Sequence, residues 1–341
     1  MSSVAPDLVV LYEHPEWQNP LFAALERRGV SYLSFDLSGA AFDNDNLPIS
    51  SVYFNQASPS AYLRGNTRAV PLALALLRSL ELRGARVVNG ADVFALELSK
   101  SAQATLLATL GVDHPRTVTF NDPAALHRHS GSLTWPALLK PEQGGSGARI
   151  QVVESLAEVE ALFTTNPALW EPDNLFLIQE LLPHDPDRGI VRLEFLDGEL
   201  LYAMRVVTHG HFNLCPSPVC NPEDGSDASC EVPDAPTIPV EFYAYPEVPA
   251  DAVAQAKLIV KAAGLDVGGI EYLETDGGRR VFYDINANSN LRPSVAAAFG
   301  FDPYERVVDY LVEQVRLTRP DTNAFAPGLA DRDLIQMHGE Q

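Results

Sequence analysis

A chain of 341 residues, 46% of them hydrophobic, has room for two or three domains of about 100–150 residues with real cores. Its formal charge of −21 argues against nucleic acid and anionic membranes as partners, since both need a basic face. An anionic small molecule is still compatible, provided that the positive charges it needs are gathered in one cleft.

In chain order, Leu8–His14 is a buried-type strand, residues 20–28 are helical up to Gly29, and Val30–Asp36 is a second strand. This βαβ pattern implies parallel strands, without a glycine fingerprint for a dinucleotide. Ser51–Asn55, a helix over about Thr67–Arg83 and Val87–Val88 complete a small open α/β layer. Ligands sit beyond the C-terminal strand ends of such a layer, which points to "YEHPEW" and "NQASPSAYLRG". A helix carrying Lys100 and ending at Gly111 follows, then the strand "RTVTF" and a short helix opened by Pro123. "PALLKP" leads into "EQGGSGAR" and the strand "RIQVVE". Ser155 and Glu158 form a capping-box pattern for a helix over Leu156–Phe163, before the strand Leu175–Leu181.

Beyond this point the pattern is antiparallel. "IVRLEFL" and "LLYAMRVV" flank Asp197-Gly198, a two-residue hairpin signal. His209–Val248 reads as irregular, and loops of that length are functional or disordered. A helix over about Ala250–Ala263 stops at Gly264, "GIEYLET" and "RRVFYDIN" form a second hairpin, and a helix over Pro303–Leu317 closes the fold. The expected units are an N-terminal α/β domain over 1–90, a lid over 91–181, an antiparallel unit over 182–320 and a tail over 321–341.

Only four of the 24 basic residues are lysine. Lys257 and Lys261 share one amphipathic helix; Lys100 and Lys140 stand apart, as expected for lysines used as point charges. Lys140 ends a strand three residues before the glycines of "EQGGSGAR". A bed of backbone amides beside a point charge suits a polyphosphate, although a glycine-rich turn is the plainer reading and the sequence is not a P-loop. Near the end, "YDINANSNLRP" is either an Asn-rich turn or a ligand site. Asp284 and Asn286 share a strand face, and a four-residue loop at Asp276–Arg279 would set Glu271 opposite Asp284. Two carboxylates and an amide oxygen are hard ligands suited to Mg²⁺ on phosphates. Ile270, Leu273, Val281, Tyr283 and Ile285 are expected on the opposite, apolar face.

Cys215, Cys220 and Cys230 are too few for a disulfide framework, and their spacing lacks a clear fourth zinc ligand. No signal peptide is visible and no apolar run reaches the roughly 18 residues of a membrane span, so a cytoplasmic protein is expected.

The ordered series Lys100, Lys140-Pro-x-x-Gly-Gly-Ser-Gly, Gln179-Glu180, Arg192, Arg205, Glu271 and Asp284-x-Asn286 resembles the ATP-grasp superfamily. It is closest in style to the ribosomal-protein glutamate ligases and glutathione synthetases, over roughly residues 90–317. The resemblance implies an α/β (α+β) ATP-grasp fold with an N-terminal open α/β domain, a small lid and a C-terminal antiparallel-sheet subdomain. It implies ATP and two Mg²⁺ ions, and an ADP-forming carboxylate–amine ligase acting through an acyl phosphate on small-molecule carboxylate and amine substrates. Residue by residue, Lys100, Lys140 and the flap Gly144, Gly145, Ser146 and Gly147 would meet phosphate. Gln179, Glu180, Leu181 and Leu182 would form the adenine hinge, and Asp187, with Asp185 as alternative, would take the ribose. Ile190 departs from the family, whose glutamate ligases carry an acid there. Glu271, Asp284 and Asn286 would hold the metal, and Arg192 and Arg205 the phosphate or acyl phosphate. Asn213, Asn288, Arg292 and Arg64 remain for the substrate; arginine suits a carboxylate, and a structural ion pair is the alternative for Arg64. A hydroxyl phosphotransferase and a non-catalytic nucleotide-binding regulator are the alternative functions, and self-association into a homo-oligomer is left open.

Overall fold

The computed structural model describes residues 6–47, 50–145, 147–212, 240–289 and 291–318. Ser146, Asn213, Cys215, Cys220 and Cys230 lie outside the described residues, so the readings made on them are not carried further.

The first sheet holds β1 (Leu8–Tyr12), β2 (Tyr32–Asp36), β3 (Val52–Gln56) and β4 (Arg86–Val88), all parallel in the order β2-β1-β3-β4. β1 and β3 are buried along their whole length, because both faces are covered; β1 is accordingly apolar throughout, while β3 ends in the buried amides of Asn55 and Gln56. α1 (Pro15–Arg27) lies on one face, and α2 (Ala69–Leu82) and α3 (Ala91–Glu97) pack on the other. α1 begins five residues before the expected start, because Pro15 takes the first helical turn, where a missing N–H is harmless, and Trp17 and Gln18 are drawn inside.

α4 (Lys100–Thr109) is separate from α3: Ser99 caps it, its hydroxyl accepting the Ala102 N–H at 3.1 Å. The second sheet is antiparallel, ordered β5-β8-β6-β7, from β5 (Thr117–Phe120), β6 (Ala137–Pro141), β7 (Gln151–Val153) and β8 (Phe176–Glu180). α5 (Leu156–Thr165) covers it, while the segment opened by Pro123 is a 3₁₀ helix over Pro123–Ser132. The Ser155 hydroxyl accepts the Glu158 N–H at 3.3 Å, but Glu158 answers to the N–H of Glu154 at 2.7 Å, one residue before the cap.

The third sheet, antiparallel, runs β11-β10-β9-β12-β13: β9 (Ile190–Leu196), β10 (Glu199–Val207), β11 (Glu241–Ala244), β12 (Val267–Glu274) and β13 (Arg280–Asn286). Asp197 and Gly198, both at positive φ (52° and 76°), make the tight turn that the Asp-Gly pair predicts. β11 falls within the segment read as irregular; pairing with the free edge of β10 orders it. α6 (Ala250–Ala263) packs with α4 on one face of this sheet. α7 (Pro293–Ala297) and α8 (Pro303–Thr318) complete the other face, in one core shared with β1, β3 and α1.

The hairpin β12–β13 reaches the expected pairing by a different route. Its loop has five residues, Glu274 pairs with Arg280, and Tyr272 with Phe282. A bulge at Tyr283 then absorbs one residue, so that Glu271 does face Asp284. The expected facing is corrected at two positions: the bulge turns Tyr283 to the side of Glu271 and Asp284, and Leu273, two residues after Glu271 on β12, lies on that side by strand alternation, while Ile270 and Ile285 join the core under α6.

Candidate active site

One pocket opens where the three sheets meet, and most of the residues expected to act together line it. Lys140 and Gln179 come from the second sheet, Lys100 from the first turn of α4, and Gly144, Gly145 and Gly147 from the loop after β6. Glu180, Leu181 and Leu182 follow β8; Arg192, Glu271, Asp284 and Asn286 stand on β9, β12 and β13, and Asn288 beyond them. Trp17, Ser58 and Ser60 close the side formed by the first sheet, at the strand ends where a ligand is expected in such a layer. His211 and Phe212 also line it.

The charges are interlocked. Arg192 is buried, with Nε donating to Glu194 at 2.6 Å, Nη1 to Glu271 at 2.7 Å and Nη2 to Ser289 at 3.1 Å. The Ser289 hydroxyl in turn donates to Glu194 at 2.5 Å. Burial works against the Arg192 charge, but Glu194 and Glu271 more than offset it, so its pKa moves up. Gly269 leaves room for this guanidinium: a Cβ there would sit 2.6 Å from Arg192 Nη2. The Tyr283 hydroxyl donates to the other oxygen of Glu271 at 3.0 Å. Glu271 is nonetheless raised above the usual carboxylate range, since burial outweighs Arg192.

Asp284 is paired with Lys100. Burial opposes its charge, yet Lys100, with Lys140 and Arg192 beyond, more than offsets that and holds it below the usual range. Lys140 lies buried, its ammonium donating to Gln179 Oε1 at 3.0 Å, and the Gln179 amide is itself oriented by donation to Thr117 Oγ1 at 3.1 Å. Burial first, and Lys100 second, lower Lys140 to about 8. Burial pushes Glu97, also on the wall, up to about 7.

Glu142 joins the glycine loop to α4. It accepts the Ser99 hydroxyl, the Ser101 hydroxyl at 2.5 Å and the Ser101 N–H at 3.0 Å, and its carbonyl accepts the Lys100 N–H at 3.3 Å. Lys100 is thereby aimed from a capped helix start toward the loop. Gly145 approaches the 3₁₀ helix over Pro59–Arg64 so closely that a Cβ would meet the Ser60 Cβ at 2.5 Å.

Four expected residues are not brought to this pocket. Arg205 pairs with Val191 across β9–β10, so its side chain leaves the sheet on the face opposite Arg192. It stacks on Tyr245 with 4.2 Å to the ring centre and reaches Glu274 at 3.4 Å. Asp187 stands on the exposed turn before β9 and meets His209 at 3.1 Å. Arg64 lies behind the wall, paired with Glu13, stacked over Trp17 at 4.3 Å and donating to Ser60 Oγ at 3.0 Å. Arg292 is buried under Phe242, 3.5 Å from its ring centre.

Several members of the site were missed in the sequence. Glu194 was accessible there: two residues after Arg192 on a strand, it shares that face. Tyr283 was hidden by the bulge. Glu97 and Ser289 carry no local signal.

A divalent cation fits the donor set. Among the described residues no three or more His, Cys, Asp and Glu side chains gather as a closed metal centre. Glu271 and Asp284 supply carboxylate oxygens and Asn286 an amide oxygen, all hard ligands on one wall of the pocket, while the buried Nδ2 of Asn286, a donor without a hydrogen-bond partner among the described residues, would face an anion rather than the cation. Such an incomplete oxygen set suits an ion that takes its remaining ligands from phosphate.

No protein-family model and no curated protein sequence matches the chain. Solved structures do. The ATP-grasp ligase PsnB, complexed with a phosphomimetic variant of a minimal precursor, Mg and ADP, is 21% identical at a TM-score of 0.62, with 92% of this chain and 100% of that one covered. A RimK domain ATP-grasp protein from Sphaerobacter thermophilus is 18% identical at 0.64, covering 89% and 98%. D-alanine–D-alanine ligase from Bacillus anthracis is 14% identical at 0.64, covering 92% and 99%. The chain has the ATP-grasp fold, as the ordered motifs led one to expect.

Proposed function

We propose that this protein is an ATP-dependent carboxylate–amine ligase that forms an amide bond through an acyl phosphate and releases ADP. The observation that carries the reading is the convergence of Lys100, Lys140 and Arg192 with Glu271, Asp284 and Asn286 around one pocket beside a glycine loop. The reading needs no covalent nucleophile from the protein, and none is set up among the described residues of the pocket, so catalysis in this reading is positioning and charge stabilisation.

In this reading adenine lies against Leu138, Ile150, Leu182 and Leu273, with the backbone after β8 reading its edge. Lys140, oriented by Gln179, and Lys100 hold the polyphosphate, and the amides around Gly144–Gly147 cover it. Glu271, Asp284 and Asn286 would hold two Mg²⁺ ions, which neutralise phosphate charge and polarise the transferred group. Arg192, fixed by Glu194 and Glu271, faces the charge that develops as the substrate carboxylate oxygen attacks the γ-phosphorus and the bond to ADP breaks. The neutral amine nitrogen then attacks the acyl carbon, phosphate leaves with the C–O bond's electrons, and the proton that the nitrogen gives up goes to the departing phosphate. Residues 91–181 act as the lid, 182–320 as the base bearing the acids, and 1–90 as the wall on the substrate side. The PsnB, RimK-domain and D-alanine–D-alanine ligase likenesses support this kind of chemistry without naming the substrate.

The test is ADP release over a panel of amino acids and small carboxylates, with hydroxylamine added. Hydroxamate that depends on both Mg-ATP and the carboxylate is expected. A stable phosphorylated product with no hydroxamate would instead assign a phosphotransferase.

A further inference from the structure

The pocket wall made by the end of α3 and the stretch after β13 holds two acceptors that the mechanism above leaves unused: Glu97, and Asn288, which the resemblance left to the substrate in general. Glu97, the last residue of α3, is 3% exposed. Its Oε1 accepts the backbone N–H of Asn288 at 2.8 Å and the backbone N–H of Ala287 also turns toward the carboxylate, while its buried Oε2 makes no hydrogen bond of ordinary geometry among the described residues. Asn288 lines the same pocket. Its Nδ2 donates to the Gln56 carbonyl at 2.9 Å, which fixes the direction of the amide, and its buried Oδ1 is likewise without a partner. A carboxylate oxygen taken out of water is unfavourable unless a donor meets it, which is why burial pushes Glu97 up to about 7; a cation seated beside it would draw the group back to its charged form. The nearest charges do not supply one: Lys100 favours the Glu97 charge, Asp284 opposes it, and the Lys100 ammonium is paired with Asp284.

The number of donors required narrows the ligand. Phosphate and carboxylate bring none, and a hydroxyl brings one hydrogen. A primary ammonium brings three and a positive charge. We propose that Glu97 and Asn288 are the seat of the amine substrate, one N–H of a primary ammonium meeting Glu97 Oε2 and another Asn288 Oδ1. This inference rests on the ligase reading and deepens it. It makes the acceptor a primary amine, seated as the ammonium and giving one proton to the Glu97 carboxylate before its nitrogen can attack, and places it beside Asn286, where the acyl phosphate would form.

The experiment is ligand-observed NMR on the whole chain with Mg-ADP. Methylammonium, ethanolammonium and glycinamide are titrated against methanol, ethylene glycol and glycolamide. The amines are expected to bind, and their hydroxyl counterparts to bind at least about tenfold more weakly. Glu97→Gln keeps the shape and removes the charge; it should weaken the amines by about tenfold to hundredfold, as loss of a charge-assisted hydrogen bond does. Melting temperature and ADP affinity report whether the variant folds. Asn288→Ala, with a smaller loss of the same sign, gives an independent reading. Amine affinity unchanged in both variants, hydroxyl counterparts bound as well as amines, or no amine binding to the wild type would each overturn the seat. Amines that dock through Glu97 while no carboxylate yields hydroxamate would leave the seat standing and remove the ligase reading instead.

Discussion

At the residue scale, Lys140 shows how one side chain is tuned by its place. Burial and Lys100 bring its ammonium down to about 8 in the free protein. Because this folded value lies below that of the unfolded chain, the group opposes folding below pH 8, and that opposition fades as pH rises through about 8 toward the ordinary lysine value. A bound polyphosphate reverses the balance, because it favours the charged form. Nucleotide binding should therefore take up a proton above pH 8, and affinity should fall as pH climbs past that point. Calorimetry in buffers of different ionisation enthalpy checks this. Lys140→Met should bind ADP weakly and with little uptake; unchanged uptake would show that another group titrates. The lysine itself was legible in sequence as a point charge beside glycines. Its partner Gln179 was legible only by resemblance, because 39 residues separate the two.

At the element scale, the third sheet is the frame that holds the charges. On β9, alternate residues face opposite cores, so Arg192 and Glu194 share one face, and Glu271 on β12 is registered directly beside Arg192. Gly269, two residues before Glu271, is where that frame is tightest. In Gly269→Ala the new methyl would gain a little β propensity, but it would press on a guanidinium tied by three hydrogen bonds that has nowhere to go. Overpacking of this kind costs about 1–3 kcal/mol. The variant should melt at lower temperature and lose turnover by more than it loses ADP affinity. An unchanged melting curve would show that Arg192 can shift freely. Strand pairing around Asp284 was foreseen from a four-residue loop, and the pairing holds although the loop has five residues. Sequence counting could not see the compensating bulge, because a bulge depends on what the neighbouring strand and core require.

At the scale of the whole molecule, Asn89 ties the N-terminal layer to the β12–β13 hairpin that carries Glu271 and Asp284. It sits at φ 53°, wholly buried. Its Nδ2 donates to the carbonyls of Val267 and Ala287, both at 2.7 Å, and its Oδ1 accepts the N–H groups of Asp266 at 3.0 Å and Val267 at 3.2 Å. One amide thus satisfies four backbone groups from two distant segments. Asn89→Ala should cost about 3–5 kcal/mol, since it leaves several buried groups unpaired and places a Cβ residue in the left-handed region. Asn89→Gly relieves the backbone part alone and should recover about 1–2 kcal/mol of it. Chemical denaturation of the three proteins measures both; a loss below about 1 kcal/mol for the alanine variant would show that the tie is slack.

The sequence by itself determined the elements and the chemistry available to them. Apolar runs, caps and turn residues act within a few positions, so every strand but β11, most helix ends and the Asp197-Gly198 hairpin follow from local preference, while β11 needs the edge of β10. The isolated lysines and the acid–amide pair on β13 are the residue types that polyphosphate and hard-cation chemistry would use, and the proposed function rests on them. Only the tertiary structure decided which of the candidates meet. Arg205 and Arg192 look equivalent in sequence, yet strand register sends them to opposite faces. Arg64 found Glu13 across 51 residues, and Glu97 reached the wall of the pocket through contacts made nearly two hundred residues away. Such pairings rest on register, burial and the folding-together of distant strands, and those physical constraints exist only once the whole chain has closed on itself.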